Sequence, residues 1–167
     1  MPADLSPDEI AALRNANYNA TLIAVREVHA DLRVMRVKPD GGIPEYQAGQ
    51  FTTLGLGFWE PRAAGTQAEH LPAAEVCKIV KRAYSISFPI FDEAGALLHR
   101  PDCGFLEFYV ALVRETSGPP PALTPRLFNL KVGDRLFVGT RITGHYTLAS
   151  VAGDCDVENQ LKIKGSS

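Results

Sequence analysis

The sequence predicts an all-β protein, a closed antiparallel barrel, on three observations. Six strand-like runs follow one another, separated by turns rich in glycine and proline. Only two short stretches carry helix signals, and no internal repeat is present. Many short strands with few helices favour a sheet closed on itself. The length of 167 residues suits one domain with tails.

The first element is a helix. Ser6-Pro7-Asp8-Glu9 reads as a capping box, with Ser6 at the N-cap, Pro7 at the first helical position and Glu9 three residues after the cap. Ile10 and Leu13 follow at helical spacing, so about two to three turns are expected. After Asn19 the period changes. Thr21 to Val28 and Leu32 to Val37 read as a hairpin through His29-Ala30-Asp31, although the second run does not divide cleanly into an apolar and a polar face. Pro39 and Gly41-Gly42 end it. Gln50 to Leu56 is the third strand. Residues 58–75 form a long loop with room for one helical turn, and loops of that length usually serve a function.

Lys78 to Phe88 is the fourth strand. Phe105 to Arg114 is the fifth, apolar on both faces and therefore expected at the centre of the sheet. Thr124 fits an N-cap and Pro125 the start of a short helix running to Leu130. Val132-Gly133-Asp134 turns the chain into the sixth strand, Arg135 to Thr140, and Tyr146-Thr147-Leu148 is a shorter seventh piece. The polar stretch after Val157 reads as a frayed tail.

Composition excludes several functions. Hydrophobic residues are 46% and charged residues 22%, which removes a mainly disordered chain. Lysine and arginine number 17 against 19 acidic residues, a net charge of −2, so a nucleic-acid partner is not expected. No run approaches the ~20 apolar residues of a membrane span. The acidic N-terminus has no signal-peptide core, so a cytoplasmic protein with no membrane partner is expected. Cys77, Cys103 and Cys155 lie far apart without a C-x-x-C pair, and Pro101 stands between His99 and Cys103; no metal site is expected.

Two stretches suit ligand chemistry. In Arg82-Ala83-Tyr84-Ser85, strand alternation puts Arg82 and Tyr84 on one face, about 6.6 Å apart. A guanidinium fork matches a pyrophosphate, and a tyrosine ring beside it offers a stacking surface. Ser85 points to the opposite face. Taken alone, this pattern fits an ordinary solvated strand as well. In the second stretch, Gly118 to Leu127, free N–H groups at the helix start would favour a phosphate; a capped helix without ligand is the commoner case.

Together these stretches resemble a known family. Arg82-Ala83-Tyr84-Ser85 is similar to the R-x-Y-S flavin signature of the ferredoxin–NADP reductases. Tyr46-Gln47-Ala48-Gly49-Gln50-Phe51 resembles the Y-x-x-G-Q-F segment upstream, and Leu106-Glu107-Phe108-Tyr109-Val110 the L-E-F-Y/F strand downstream. Leu123-Thr124-Pro125-Arg126-Leu127 and Leu130-Lys131-Val132-Gly133-Asp134 resemble the L-T/S-x-R-L and L-K-x-G-D run. The ordered matches span about residues 20–150, and the likeness is greatest to bacterial-type ferredoxin or flavodoxin–NADP reductases.

The resemblance implies a six-stranded antiparallel Greek-key flavin-binding barrel with FAD as cofactor. It implies that Arg82 binds the FAD pyrophosphate with Ala83 beside it, that Tyr84 stacks on the flavin or its ribityl chain, and that Ser85 hydrogen-bonds near flavin N5. Tyr109, Val110 and Ala111 would line the isoalloxazine edge, largely through backbone groups. Ala122, Leu123 and Thr124 would hold the pyrophosphate. Electrons would pass between NADPH and a ferredoxin or flavodoxin, with Tyr84 and Ser85 nearest the chemistry. Arg33, Arg36, Lys38, Lys78, Lys81 and Arg82, on neighbouring predicted strands, could steer an acidic partner, although a solvated charged face explains them equally well.

One departure stands out. Family members continue into an NADP-binding domain that opens on a G-T-G-x-A-P loop, and no such loop follows Asp154-Cys155-Asp156-Val157. The expected organisation is a helical extension over 1–18, the FAD-binding barrel over 19–153 and a tail over 154–167, truncated before the second domain. NADP(H) would then be a partner only where a nucleotide-binding domain is supplied. The alternatives are a flavin-carrying subunit of a two-chain reductase and a non-enzymatic β-barrel binding module.

Overall fold

The computed structural model describes residues 5–47, 49–87 and 104–144. The seventh strand expected at Tyr146, the His99–Cys103 pair and the tail lie outside these residues. Helix α1 (Pro7–Asn17) is followed by β1 (Ala20–His29), β2 (Leu32–Pro39), β3 (Phe51–Gly57), a 3-10 turn (Ala73–Glu75), β4 (Ile79–Ser85), β5 (Leu106–Ala111), α2 (Thr124–Leu127) and β6 (Arg135–Val138).

The capping box forms as the sequence predicts. The Ser6 hydroxyl accepts from the Glu9 N–H at 3.3 Å, and the Ser6 N–H donates to the Glu9 carboxylate at 2.8 Å. These donors hold the Glu9 carboxyl below its usual range. No residue of α1 is buried, so the helix lies on the outside of the barrel.

Six strands form one sheet in the order β4-β3-β6-β1-β2-β5, every neighbouring pair antiparallel. The ends of the sheet meet at a single bridge, where the Ser87 N–H donates to the Glu107 carbonyl at 2.8 Å. The barrel is therefore closed, but barely so between β4 and β5. This corrects the position expected for β5: it ends the hydrogen-bonded ladder and does not sit at its centre. Its inner face is apolar because Leu106, Phe108 and Val110 fill the barrel, and its outer face is covered because Glu107 pairs with Arg36 at 2.9 Å.

The core consists of inward residues from every strand, among them Leu22, Met35, Val37, Leu54, Leu56 and Leu136, all fully buried. The mixed pattern of β2 has a simple origin. Met35 and Val37 oppose Phe108 and Leu106 inside the barrel, while Val34 opposes Tyr109 on the other face and is buried there. Register shifts at Leu22/Ala24 and Glu27/His29 carry the end of the β1–β2 hairpin out into solvent.

Candidate functional site

The seam between β4 and β5 brings the two strand motifs together. Along β4, the Lys78 carbonyl accepts from the Phe58 N–H, and the Ile86 N–H donates to the Gln50 carbonyl. Even-numbered residues of β4 thus spend their backbone groups on β3, and alternation turns those of Ala83, Ser85 and Ser87 towards β5. Along β5, the Leu112 N–H donates to Asp31 of the β1–β2 turn, so even-numbered residues face β2. Glu107, Tyr109 and Ala111 face β4. Counting from the Ser87–Glu107 bridge in antiparallel register, Ser85 lies across from Tyr109 and Ala83 across from Ala111. No further β4–β5 pairing occurs among the described residues. Two strand edges whose donors and acceptors are unspent among the described residues thus flank one seam.

Side chains follow from the same register. Arg82 opposes Leu54 and Tyr84 opposes Thr52, so both share a face with Val80 and the core. Arg82 is nevertheless exposed. Its Nη1 donates to the Lys81 carbonyl at 2.8 Å, and no carboxylate among the described residues pairs with it. Tyr84 is half-buried against the core, and burial pushes its hydroxyl up to about 12, so it keeps its proton throughout the neutral range. Ser85 opposes Phe51 on the outer face and is exposed. Tyr109 is 51% exposed, whereas Val110 is fully buried, with its backbone turned to Arg33. Of the three β5 residues singled out in the sequence, Tyr109 and Ala111 face the seam and Val110 faces the core.

The Ala122–Thr124 segment stands beside the seam, but its geometry differs from the expectation. Thr124 is not the N-cap. Leu123 takes that position without a side-chain cap bond, and the helix covers only Thr124–Leu127. The Thr124 hydroxyl is occupied elsewhere: it accepts from the Val113 N–H at 3.2 Å, just past the end of β5. That bond places the segment at the Arg82 end of the seam. The N–H groups of Ala122, Leu123 and Thr124 meet no acceptor among the described residues.

The long loop holds this segment in place. Arg126, 2% exposed, donates to the Ala122 carbonyl at 2.6 Å, to the Phe58 carbonyl at 3.0 Å and to the Glu69 carboxylate at 2.5 Å. Arg62 donates to the Pro121 carbonyl at 2.9 Å and pairs with Glu69 at 3.1 Å. Burial lowers the Arg62 pKa, only partly offset by the Glu69 charge. The Arg126 Nε is buried and has no partner among the described residues. Sequence reasoning singled out none of the three as a group, because their spacing of 7 and 57 residues gives no local signal.

A second buried carboxylate was equally hidden. Glu60 accepts from Arg14 (2.8 and 2.6 Å), from the Tyr18 hydroxyl (2.9 Å) and from the Trp59 indole (3.0 Å). Trp59 stacks on Tyr18 with ring centroids 6.0 Å apart, so this tryptophan is a packing residue. Burial raises the Tyr18 hydroxyl well above its usual value. This cluster ties α1 to the barrel.

The six basic residues do not all lie on neighbouring strands. β2 and β4 are not neighbours, because β5 lies between them on one side of the barrel. Arg33 pairs with Glu27 and lies over Phe128, Arg36 pairs with Glu107, and Lys78 pairs with Glu75. Lys81 lies over the Phe137 ring. Among the described residues no group of histidine, cysteine, aspartate or glutamate could hold a metal ion, and no helix is long and apolar enough to cross a membrane.

No family model and no curated protein matches the sequence. Solved structures do match in fold. The CS–b5R domains of human Ncb5or in the NAD+ form superpose with a TM-score of 0.53 at 18% identity, over 80% of this chain and 32% of that one. A ferredoxin NADP+ reductase from Neisseria gonorrhoeae with bound FAD and NADP gives 0.46 at 18% identity, over 76% and 38%. The ferredoxin reductase in carbazole 1,9a-dioxygenase gives 0.42 at 29% identity, over 73% and 27%. The chain thus spans about a third of the length of the structures it matches. What the likeness to the human structure establishes is the fold: this chain carries the six-stranded antiparallel barrel of the reductase fold.

Proposed function

We propose that this chain binds FAD along the β4–β5 seam and is the flavin-carrying part of an oxidoreductase that passes electrons between NADPH and a small redox protein, a ferredoxin or flavodoxin. The observation that carries the reading is the seam itself. Among the described residues, two strand edges with unspent backbone groups face each other, with an exposed arginine that pairs with no carboxylate and three N–H groups that meet no acceptor at one end.

In this reading Arg82 and the N–H groups of Ala122, Leu123 and Thr124 take the pyrophosphate, joining a charged fork to backbone donors. Tyr84 supplies an uncharged ring for stacking, and Ser85 a hydrogen bond near flavin N5. Ala83, Tyr109 and Ala111 offer N–H and C=O groups to the edge of the ring system, while Val110 supports β5 from the core. FAD, when bound, supplies the electron chemistry; the protein holds, orients and shields it. Placing a nicotinamide against the flavin is worth ~7–11 kcal/mol of the barrier. No described segment offers a glycine-rich phosphate loop for that task. The 167 residues alone are therefore expected to hold FAD and to oxidise NADPH slowly.

The test is the visible spectrum of the purified chain after incubation with FAD and desalting. Retained flavin is expected. Arg82→Ala should weaken FAD at least about tenfold, the value of one charge-assisted hydrogen bond, and leave the urea midpoint unchanged because Arg82 is exposed. A chain that retains no flavin refutes the reading. NADPH oxidation by the chain alone at ~1–10³ per second refutes the expectation that these residues oxidise NADPH slowly.

A further inference from the structure

The buried Arg62–Glu69–Arg126 cluster plays no part in the site as described, yet both of its guanidiniums grip the backbone beside it. Arg62 binds the Pro121 carbonyl and Arg126 the Ala122 carbonyl. No described peptide bond is cis. In a planar trans peptide, C=O and N–H point in opposite directions. Fixing the Pro121 carbonyl towards Arg62 therefore turns the Ala122 N–H away from the cluster. Fixing the Ala122 carbonyl towards Arg126 does the same for the Leu123 N–H. Those two N–H groups are among the three that meet no acceptor among the described residues. Glu69 bridges the two guanidiniums and keeps their spacing.

The geometry points to Arg62, Glu69 and Arg126 as positioning residues that orient the Ala122 and Leu123 N–H groups for a diphosphate. This inference rests on the flavin reading above and assigns the role of the long loop within it. The loop need not touch the cofactor. Its Phe58 carbonyl and Glu69 carboxylate accept from Arg126, and its Arg62 donates to Pro121; through these bonds it aims two donors. A buried group of two cations and one anion is costly to assemble, and its grip on two successive carbonyls gives that cost a function.

The experiment compares FAD with riboflavin, which carries the same ring system without phosphate, by titrating flavin fluorescence against the intact chain. Arg62→Met releases the Pro121 carbonyl and leaves the Arg126–Glu69 pair in place. It is expected to weaken FAD about tenfold and riboflavin not at all. Arg62→Lys, which can still donate to that carbonyl, should recover part of the loss. Urea midpoints show that each variant is folded. If Arg62→Met does not fold, the same comparison is read on Arg62→Lys against wild type. Equal weakening of FAD and riboflavin, or unchanged FAD affinity in a folded variant, overturns the positioning role and leaves the flavin reading standing. Wild-type protein that binds no FAD overturns both.

Discussion

Gly57→Ala tests whether the packing around Glu60 is as tight as its geometry. A Cβ built on Gly57 would lie 2.1 Å from Trp59 Cε2, 2.2 Å from Cδ2 and 2.3 Å from Cζ2. Carbon atoms in contact sit at about 3.5–4.0 Å, so ring or strand must withdraw by more than about 1 Å. The strand resists, because the Gly57 N–H donates to the buried Tyr18 hydroxyl at 2.8 Å. The ring is half-buried and therefore yields, losing its stacking on Tyr18 and its bond to Glu60. Stacking contributes about 0.5–1.5 kcal/mol and the hydrogen bond about 0.5–1.5 kcal/mol. Replacing a strand glycine returns about 0.5–1 kcal/mol through the unfolded chain. The net cost is about 0–2.5 kcal/mol, centred on about 1 kcal/mol, or a Tm lower by up to about 10 °C for a chain of this size.

Trp59 is the only tryptophan, so its fluorescence in a urea titration reports this site directly. A red-shifted emission before unfolding is expected in Gly57→Ala. The decisive control repeats the substitution in Trp59→Leu, followed by circular dichroism. With the ring gone, the added methyl should cost little, giving a coupling of about 1 kcal/mol or more. An equal cost in both backgrounds would falsify the clash argument.

Glu60→Gln removes the charge that four donors share. Arg14 is 47% exposed and can rehydrate, so the loss should be about 1–3 kcal/mol, below that of a fully buried pair, and amide exchange over α1 should accelerate more than over β5. Tyr84 gives a pH window. Its folded pKa stands at about 12 against 10.0 unfolded, so the unfolded chain releases the proton first and the stability linked to it falls as pH rises from 10 towards 12. Tyr84→Phe should flatten the alkaline slope of the urea midpoint; an unchanged slope would refute the burial of that hydroxyl.

The sequence was most readable where structure is local. The capping box, the β1–β2 hairpin and all six strands follow from period and turn residues. Two of the family-like motifs prove to be turns with a physical reason: Gly49 has φ +91°, and Gln50 closes the turn by accepting from the Gln47 N–H at 2.8 Å. Gly133 has φ +97°, and Asp134 accepts from the Lys131 N–H at 2.7 Å. Strand order was harder. Apolar residues on both faces of β5 suggested a central strand, because periodicity cannot tell burial under neighbouring strands from burial under a side-chain ion pair. Thr124 misled for a related reason: a threonine before Pro-Arg-Leu looks like a cap, but a hydroxyl bonds to whichever N–H the fold brings near, here that of Val113. The carboxylates at 60 and 69 gave no signal at all, since their partners lie up to 57 residues away.

The weak closure of the barrel bears on the proposed function. A closed barrel removes strand edges, and unpaired edges invite association with other chains. Here the ladder is continuous through five interfaces and reduced to one bridge at the sixth. A barrel selected for stability alone would continue the β4–β5 ladder past Ser87 and Glu107, since Ser85 and Ala83 already face Tyr109 and Ala111. Doing so would spend the same backbone groups that a flat heteroaromatic ligand with its own donors and acceptors needs. The features at the end of the seam point the same way: an exposed arginine on β4, three N–H groups without described acceptors, and a buried ion cluster that fixes the orientation of two of them. Each has a direct use once an anionic, ring-bearing ligand completes the wall that the sheet leaves unfinished.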